Sequence, residues 1–255
     1  MKLIDTHCHL YNDKIDNGLV LKLIEEADEL EKVVLMGTNL DKSQENLTFA
    51  QSCAKAYVCV GIHPEEINDN WKNELIEIEK LLDNKKVVGI GEIGLDYHYT
   101  KENALLQQKV LISQLKLAHK HGLPVCIHTR DSAQDLYKIL SDNKNLIDNG
   151  CVIHCFSESA DWAQKFVDLG CFISFCGNFT FKNYNQSVAN VIPVERVMIE
   201  TDSPYLSPVP HRGEVNNPTR VVFVAEGLAK VWGLSLSDVA FITTQNAKSF
   251  YKRMN

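Results

Sequence analysis

Asp5-Thr6-His7-Cys8-His9 stands a few residues from the N-terminus, at the end of a short apolar run. On a strand, side chains alternate faces, so His7 and His9 point one way and Cys8 the other. Two imidazoles side by side at a strand end grip one metal ion, although a lone His-x-His is a weak motif. Its ordinary reading is two polar residues where a strand runs out. Other short apolar runs shift that balance, because they too end in ligand-type residues: Gly61-Ile62-His63-Pro64, Gly91-Glu92-Ile93-Gly94-Leu95-Asp96, His128-Thr129-Arg130, His154 and Glu200-Thr201-Asp202. Carboxylates such as Glu92 and Asp202 beside an apolar interior are costly without a cation. Four imidazoles (His7, His9, His128, His154) and two carboxylates (Glu92, Asp202) exceed what one tetrahedral catalytic ion uses. They suit two divalent ions ~3.5–4 Å apart that share a water or hydroxide. The natural division gives His7, His9 and Asp202 to one ion and His128 and His154 to the other, with Glu92 as the bridge.

The elements that must position these residues alternate along the chain. Strand candidates, rich in Val, Ile and Cys, are Lys2–His9, Lys32–Gly37, Tyr57–His63, Val87–Ile93, Pro124–Thr129, Cys151–Phe156, Cys171–Phe175 and Arg196–Thr201. Helix candidates lie between them at Leu19–Leu30, Lys42–Lys55, Trp71–Asn84, Glu102–His121, Ser132–Ser141, Ser159–Leu169 and, less clearly, Tyr184–Val191. A Pro-rich loop from Ser203 to Pro218 and two helices, Thr219–Trp232 and Ser235–Lys252, complete the chain. Eight strands alternating with helices predict an α/β fold, a (β/α)8 TIM barrel with its metal site at the C-terminal ends of the strands. An open doubly wound sheet is the alternative, but no Gly-x-Gly-x-x-Gly turn follows the first strand.

At 255 residues, 45% of them hydrophobic, the chain has the length and apolar content of one such barrel domain spanning residues 1–255. No apolar stretch approaches the ~18 residues that span a bilayer, and the N-terminus enters a strand without a signal-peptide pattern. A cytoplasmic location is therefore expected. The eight cysteines form no Cys-x-x-Cys pair and several sit in apolar runs, which predicts reduced core thiols. By strand parity Cys8 and Cys155 are expected to pack into the helix layer. A net charge of −7 argues against a surface that coats nucleic acid non-specifically, but leaves room for a local site that handles phosphates.

Together with Gly89-Ile90-Gly91-Glu92-Ile93-Gly94-Leu95-Asp96-Tyr97, His154-Cys155-Phe156-Ser157 and Glu200-Thr201-Asp202-Ser203-Pro204-Tyr205-Leu206, these motifs resemble the TatD family of metal-dependent deoxyribonucleases. The likeness runs from residue 3 to about residue 246, ending at Asn246-Ala247. It implies a (β/α)8 barrel, two divalent metal ions on the six ligands above, and hydrolysis of phosphodiester bonds in DNA as a 3′-to-5′ exonuclease favouring single strands. The metal is not fixed by sequence: imidazoles suit Zn²⁺, and phosphoryl chemistry with carboxylates also accepts Mn²⁺ or Mg²⁺. The expected partner is single-stranded DNA or a short oligonucleotide, with no membrane and a monomeric chain. One departure stands out. Where the family pattern continues Arg-Gly with a basic residue, Arg212-Gly213 is followed here by Glu214, and an acid at the entrance would repel a phosphate backbone.

In this reading a metal-bridged hydroxide attacks phosphorus. Asp202 orients or deprotonates it, Glu92 bridges, and His63, without a metal, contacts the scissile phosphate. Arg130 and Arg212 are candidates for neighbouring phosphates. Glu200 shares the parity of Asp202 and is read as holding a ligand histidine or a metal-bound water, or else as a buried, protonated core acid, and Asp5 stands in the same relation to His7. Three rivals remain. They are a barrel hydrolase of a non-nucleic-acid ester or amide, an aminoacyl-tRNA-type ester hydrolase, and a non-catalytic metal-binding scaffold, among which the fold alone does not choose.

Overall fold

The structure is a computed structural model and describes residues 1–10 and 16–254. Among the described residues, eight strands form one sheet in sequential order, each parallel to the next: β1 (Leu3–Cys8), β2 (Leu30–Met36), β3 (Ala56–Val60), β4 (Val87–Asp96), β5 (Val125–Arg130), β6 (Cys151–Ile153), β7 (Phe172–Phe175) and β8 (Val197–Ile199). Helices alternate with them: α1 (Asn17–Glu26), α2 (Leu40–Ser52), α3 (Trp71–Leu81), α4 (Ala104–His121), α5 (Ala133–Asp142) and α6 (Ala160–Asp168), followed after β8 by α7 (Val221–Trp232) and α8 (Leu236–Phe250). None of these helices is long and apolar enough to cross a membrane. The barrel closes where β8 meets β1. There Asp202 N–H donates to His7 O (3.0 Å), His9 N–H donates to Ser203 O (2.7 Å), and the Asp5 carboxylate accepts from the Thr201 hydroxyl (2.6 Å) and N–H (2.9 Å). Asp5 thus staples the seam. It takes the Thr201 backbone donor that would otherwise pair across the sheet.

Local chemistry marks the helix ends. Asn39, Ser159 and Ser235 accept the N–H of Lys42, Trp162 and Asp238, caps that contribute about 1 kcal/mol each. The α4 helix stops at Gly122 in the left-handed conformation that lets the chain turn back toward β5. The sequence expectation runs the first helix to Leu30, whereas α1 ends at Glu26 and Leu30 opens β2 opposite Leu3. The apolar spacing simply continues across the turn. The helix expected over Tyr184–Val191 is a short 3-10 turn, Gln186–Val191.

Two apolar layers hold the barrel. Between strands and helices lie Leu3, Leu30, Val33, Val87, Ile90, Ile93 and their neighbours. Inside the ring, Ile4, Val34, Met36, Cys59, Val88, Cys126, Val152 and Met198 pack together, and Phe250, Tyr251 and Met254 close the cluster. Strict alternation does not survive in two strands. The β1–β2 pairing shifts register between Asp5 and Cys8, and β4 shifts twice, so that Val87, Ile90 and Ile93 all reach the helix layer at spacings of three.

The cysteine expectation needs correction. Six cysteines are free and buried, but Cys155 and Cys176 are disulfide-bonded, with Cα atoms 5.2 Å apart. The parity argument places Cys8 in the helix layer, where it is found, but fails for Cys155. The β6 strand ends at Ile153, Cys155 has φ +44°, and its side chain turns toward the cavity above the barrel and toward the residue just past β7.

Candidate metal centre

The C-terminal ends of the strands surround a cavity of about 770 Å³ whose walls include His9, His63, Glu92, His128, His154 and Asp202. Glu92 sits at its centre, 4% exposed. One carboxylate oxygen, Oε2, lies 3.4 Å from His7 Nε2 and 3.3 Å from His9 Nε2. The other, Oε1, lies 3.0 Å from His128 Nδ1, 2.8 Å from His154 Nε2 and 3.4 Å from His63 Nε2. Asp202 Oδ1 stands 3.6 and 3.7 Å from the Nε2 atoms of His7 and His9. The residues predicted as two ligand groups therefore meet here, with the two oxygens of Glu92 aimed one at each group. His7, His9 and Glu92 offer donor atoms within 4.8 Å of one another, as do His7, His154 and Asp202, and His63, Glu92 and His128.

Local backbone features bring them together. The register shift in β1 turns His7 and His9 inward above Ile4. The second shift in β4 does the same for Glu92. Asp202 arrives by a left-handed residue, φ +53°, just past β8. Gly94 pairs with His128 across β4 and β5, and a Cβ there would lie 2.0 Å from the His128 carbonyl oxygen, so only glycine lets the two strands close at this level.

Each of the four histidines gives its second ring nitrogen to a fixed neighbour. His9 Nδ1 lies 3.3 Å from Met36 O, His7 Nδ1 3.4 Å from Cys126 Sγ, His154 Nδ1 3.3 Å from Glu200 Oε1, and His128 Nε2 2.8 Å from Asp96 Oδ2. With the outward nitrogen donating, a neutral ring keeps its lone pair on the inward one, which is how proteins orient imidazole ligands. His63 is wired the other way. Its Nδ1 accepts the Glu65 N–H (3.2 Å), which leaves Nε2 as the N–H donor presented to the cavity. Inward lone pairs and carboxylates crowded at 3–4 Å repel one another unless protons or cations lie between them. This donor set fits divalent ions.

The electrostatics reflect the crowding. Burial, helped by His154 stacked 3.9 Å away, pushes His7 down to about 4, so the ring is neutral. Burial acts on Glu92 in the opposite sense, yet the histidines around it, His154 foremost, hold it well below the usual carboxylate range. Asp202 is pushed up to about 6 and Asp5 to about 8, both chiefly by burial. Glu200, 1% exposed, stays ionised despite its burial because His154, together with the Ser174 hydroxyl (2.6 Å), stabilises the charge.

Asp5, read from sequence either as holding the His7 ring or as a buried, protonated core acid, is fully buried with its carboxyl pushed up to about 8. It holds β8 through Thr201 rather than the His7 ring. Arg130 lies on the cavity wall with its guanidinium 5.5 Å from the Tyr99 ring centre. Arg212 is not among the lining residues and stacks on Phe181 at 3.8 Å. Glu214 is absent from the cavity wall as well. It pairs with Arg220 and with His211 (3.2 Å), which answers the expectation that it repels a substrate at the entrance. Sequence reasoning assigned no role to Asp96, although its parity with Glu92 and Gly94 on β4 places it on the cavity side.

Comparison with known proteins agrees with this architecture. An uncharacterized metal-dependent hydrolase of Bacillus subtilis, YabD, is 35% identical over 98% of this chain and 99% of its own. Its counterpart YcfH of Escherichia coli K12 is 36% identical over 96% and 94%. Among solved structures, the E. coli TatD homologue YjjV superposes with a TM-score of 0.86 at 28% identity, covering 98% of both chains. The sequence profile described as TatD related DNase matches residues 4–252, and the chain belongs to that family.

Proposed function

We propose that this protein is a metal-dependent hydrolase of DNA phosphodiester bonds, a 3′-to-5′ exonuclease acting on single strands. The observation that carries this reading is the division of Glu92, whose two oxygens face two separate histidine groups 2.8–3.4 Å away. So placed, Glu92 would reach two divalent ions at once, and such a pair suits the in-line displacement at a phosphate. His7, His9 and Asp202 would hold one ion and His128 and His154 the other, with Mg²⁺, Mn²⁺ or Zn²⁺ as candidates. When bound, the ions neutralise charge on the phosphoryl oxygens and acidify the attacking water.

The chain's own groups do the remainder. Asp202, whose Oδ1 stands on the His7–His9 side, orients the water and takes its proton. His63 donates from Nε2 to a non-bridging phosphate oxygen, its ring fixed by the Glu65 N–H. Arg130, on the wall beside His128, meets a neighbouring phosphate. The relatives YabD and YcfH, both described as uncharacterized metal-dependent hydrolases, support the same class of chemistry.

The test is cleavage of a 5′-labelled single-stranded oligonucleotide, with duplex DNA and RNA in parallel. The expected result is a ladder that shortens from the 3′ end, stops with chelator and returns with Mg²⁺ or Mn²⁺. No cleavage by metal-loaded protein overturns the nuclease reading in favour of another ester or an amide.

A further inference from the structure

We propose that Tyr99 and Tyr205 form a two-sided clamp that stacks on the unpaired bases flanking the scissile phosphate. The inference rests on the nuclease reading and names what selects its substrate. Both rings line the cavity, and both are open to water, 74% exposed for Tyr99 and 45% for Tyr205. Tyr99 follows β4 and Tyr205 follows β8. In a ring of eight strands, the β4–β5 edge stands opposite the β8–β1 edge. The two residues therefore stand on opposite sides of the barrel mouth, which they line together with Glu92 and Asp202.

Both are held in place. The Tyr205 carbonyl accepts from Asn216 Nδ2 (2.7 Å), which also binds Thr201 O (2.9 Å), and the Tyr205 ring meets His9 edge-on at 6.3 Å. Beside Tyr99, the His98 ring packs edge-on at 4.9 Å, and His98 is itself fixed by Asp131 (2.9 Å) and by Asp96 Oδ1, which accepts its N–H (2.9 Å). The Arg130 guanidinium over the Tyr99 ring adds a second flat, cationic surface.

Away from the metal ligands, charge gives this cavity little hold on the flanking parts of a polynucleotide. Its cationic side chains, Lys42 and Arg130, are offset by Glu65 and Glu66 on the same wall, and the chain as a whole carries −7. Affinity must then come largely from the base faces, which every nucleotide offers and a duplex keeps stacked on its neighbours. Preference for single strands, tolerance of sequence and a shallow salt dependence follow from the same two rings.

The experiment measures kcat and KM separately on 5′-labelled oligonucleotides with a normal base or an abasic residue on either side of the cleaved bond. Tyr99→Ala and Tyr205→Ala each raise KM by about 5–150-fold, the range one base–ring stack supplies, with a smaller change in kcat. Tyr99→Phe and Tyr205→Phe stay close to wild type, because the ring and not the hydroxyl stacks. Each alanine effect disappears on one abasic substrate only, and the two variants respond to opposite sides. If the wild type cleaves DNA and the alanine variants keep its KM, or lose equally on every substrate, the clamp is overturned while the nuclease reading stands. Failure of the wild type to cleave any DNA removes both.

Discussion

The two ends of the barrel interior are built from the same eight strands and do opposite work. At the N-terminal end, Ile4, Val34, Met36, Cys59, Val88, Cys126, Val152 and Met198 make a dry plug sealed by Phe250 and Tyr251. At the C-terminal end, five histidines and the carboxylates of Glu92, Asp96, Glu200 and Asp202 occupy nearly as buried a position. The plug gains free energy by excluding water. The upper layer loses solvation and recovers it only through paired charges, and fully only with cations. The difference is a division between stability and chemistry, and substitutions at the two ends separate it.

The largest effect is expected from Glu92→Gln. It keeps the shape and removes the charge that joins the two histidine groups, so turnover falls to background while circular dichroism stays native. Near-wild-type activity in this variant breaks the bridging assignment. His63→Ala comes next. It removes a donor to the cavity and no cavity-facing lone pair, so metal content by mass spectrometry is retained while kcat drops by about 10²–10³. Loss of metal would instead make His63 a ligand. In the plug, Met198→Ala opens a cavity and costs about 2–5 kcal/mol in denaturant unfolding, with kcat of the folded fraction unchanged. Asp96→Asn acts within the upper layer, one step back from the ligands. It weakens the anchor on His128 Nε2 and lowers metal affinity by about 10–100-fold, read by titration, with little change in unfolding.

The plug and the upper layer were also unequally legible in the sequence. Apolar runs alternating with amphipathic segments announce the strand order, and the histidines at strand ends announce the chemistry. How these side chains reach the interior was hidden. Strict parity would put Ile4 and His7 on opposite faces, yet both point inward, because the register shift between Asp5 and Cys8 resets the alternation. The extra residues in β4 act similarly around Glu92. Asp202 and Cys155 are placed by left-handed backbone, which parity does not describe. The partners of two outward ring nitrogens come from non-adjacent strands, Cys126 on β5 for His7 and Glu200 past β8 for His154. Such pairings exist only once the ring has closed.

Glu214 gives the smallest effect and the sharpest boundary to the comparison. Read along the chain, an acid beside Arg212-Gly213 looks like part of the substrate entrance. In space it belongs to the loop that follows β8. Glu214 pairs with Arg220 and His211 there, while Arg220 also donates to Ser207 Oγ (3.1 Å) and Val215 O (2.9 Å). Its charge is answered locally and does not reach the cavity wall. Glu214→Gln is therefore expected to change kcat/KM on a single-stranded oligonucleotide by less than about twofold, as for other exposed ion pairs. A severalfold gain in this variant, largest at low salt, would show that the loop carries its field into the mouth and that the working region extends beyond the residues lining the cavity.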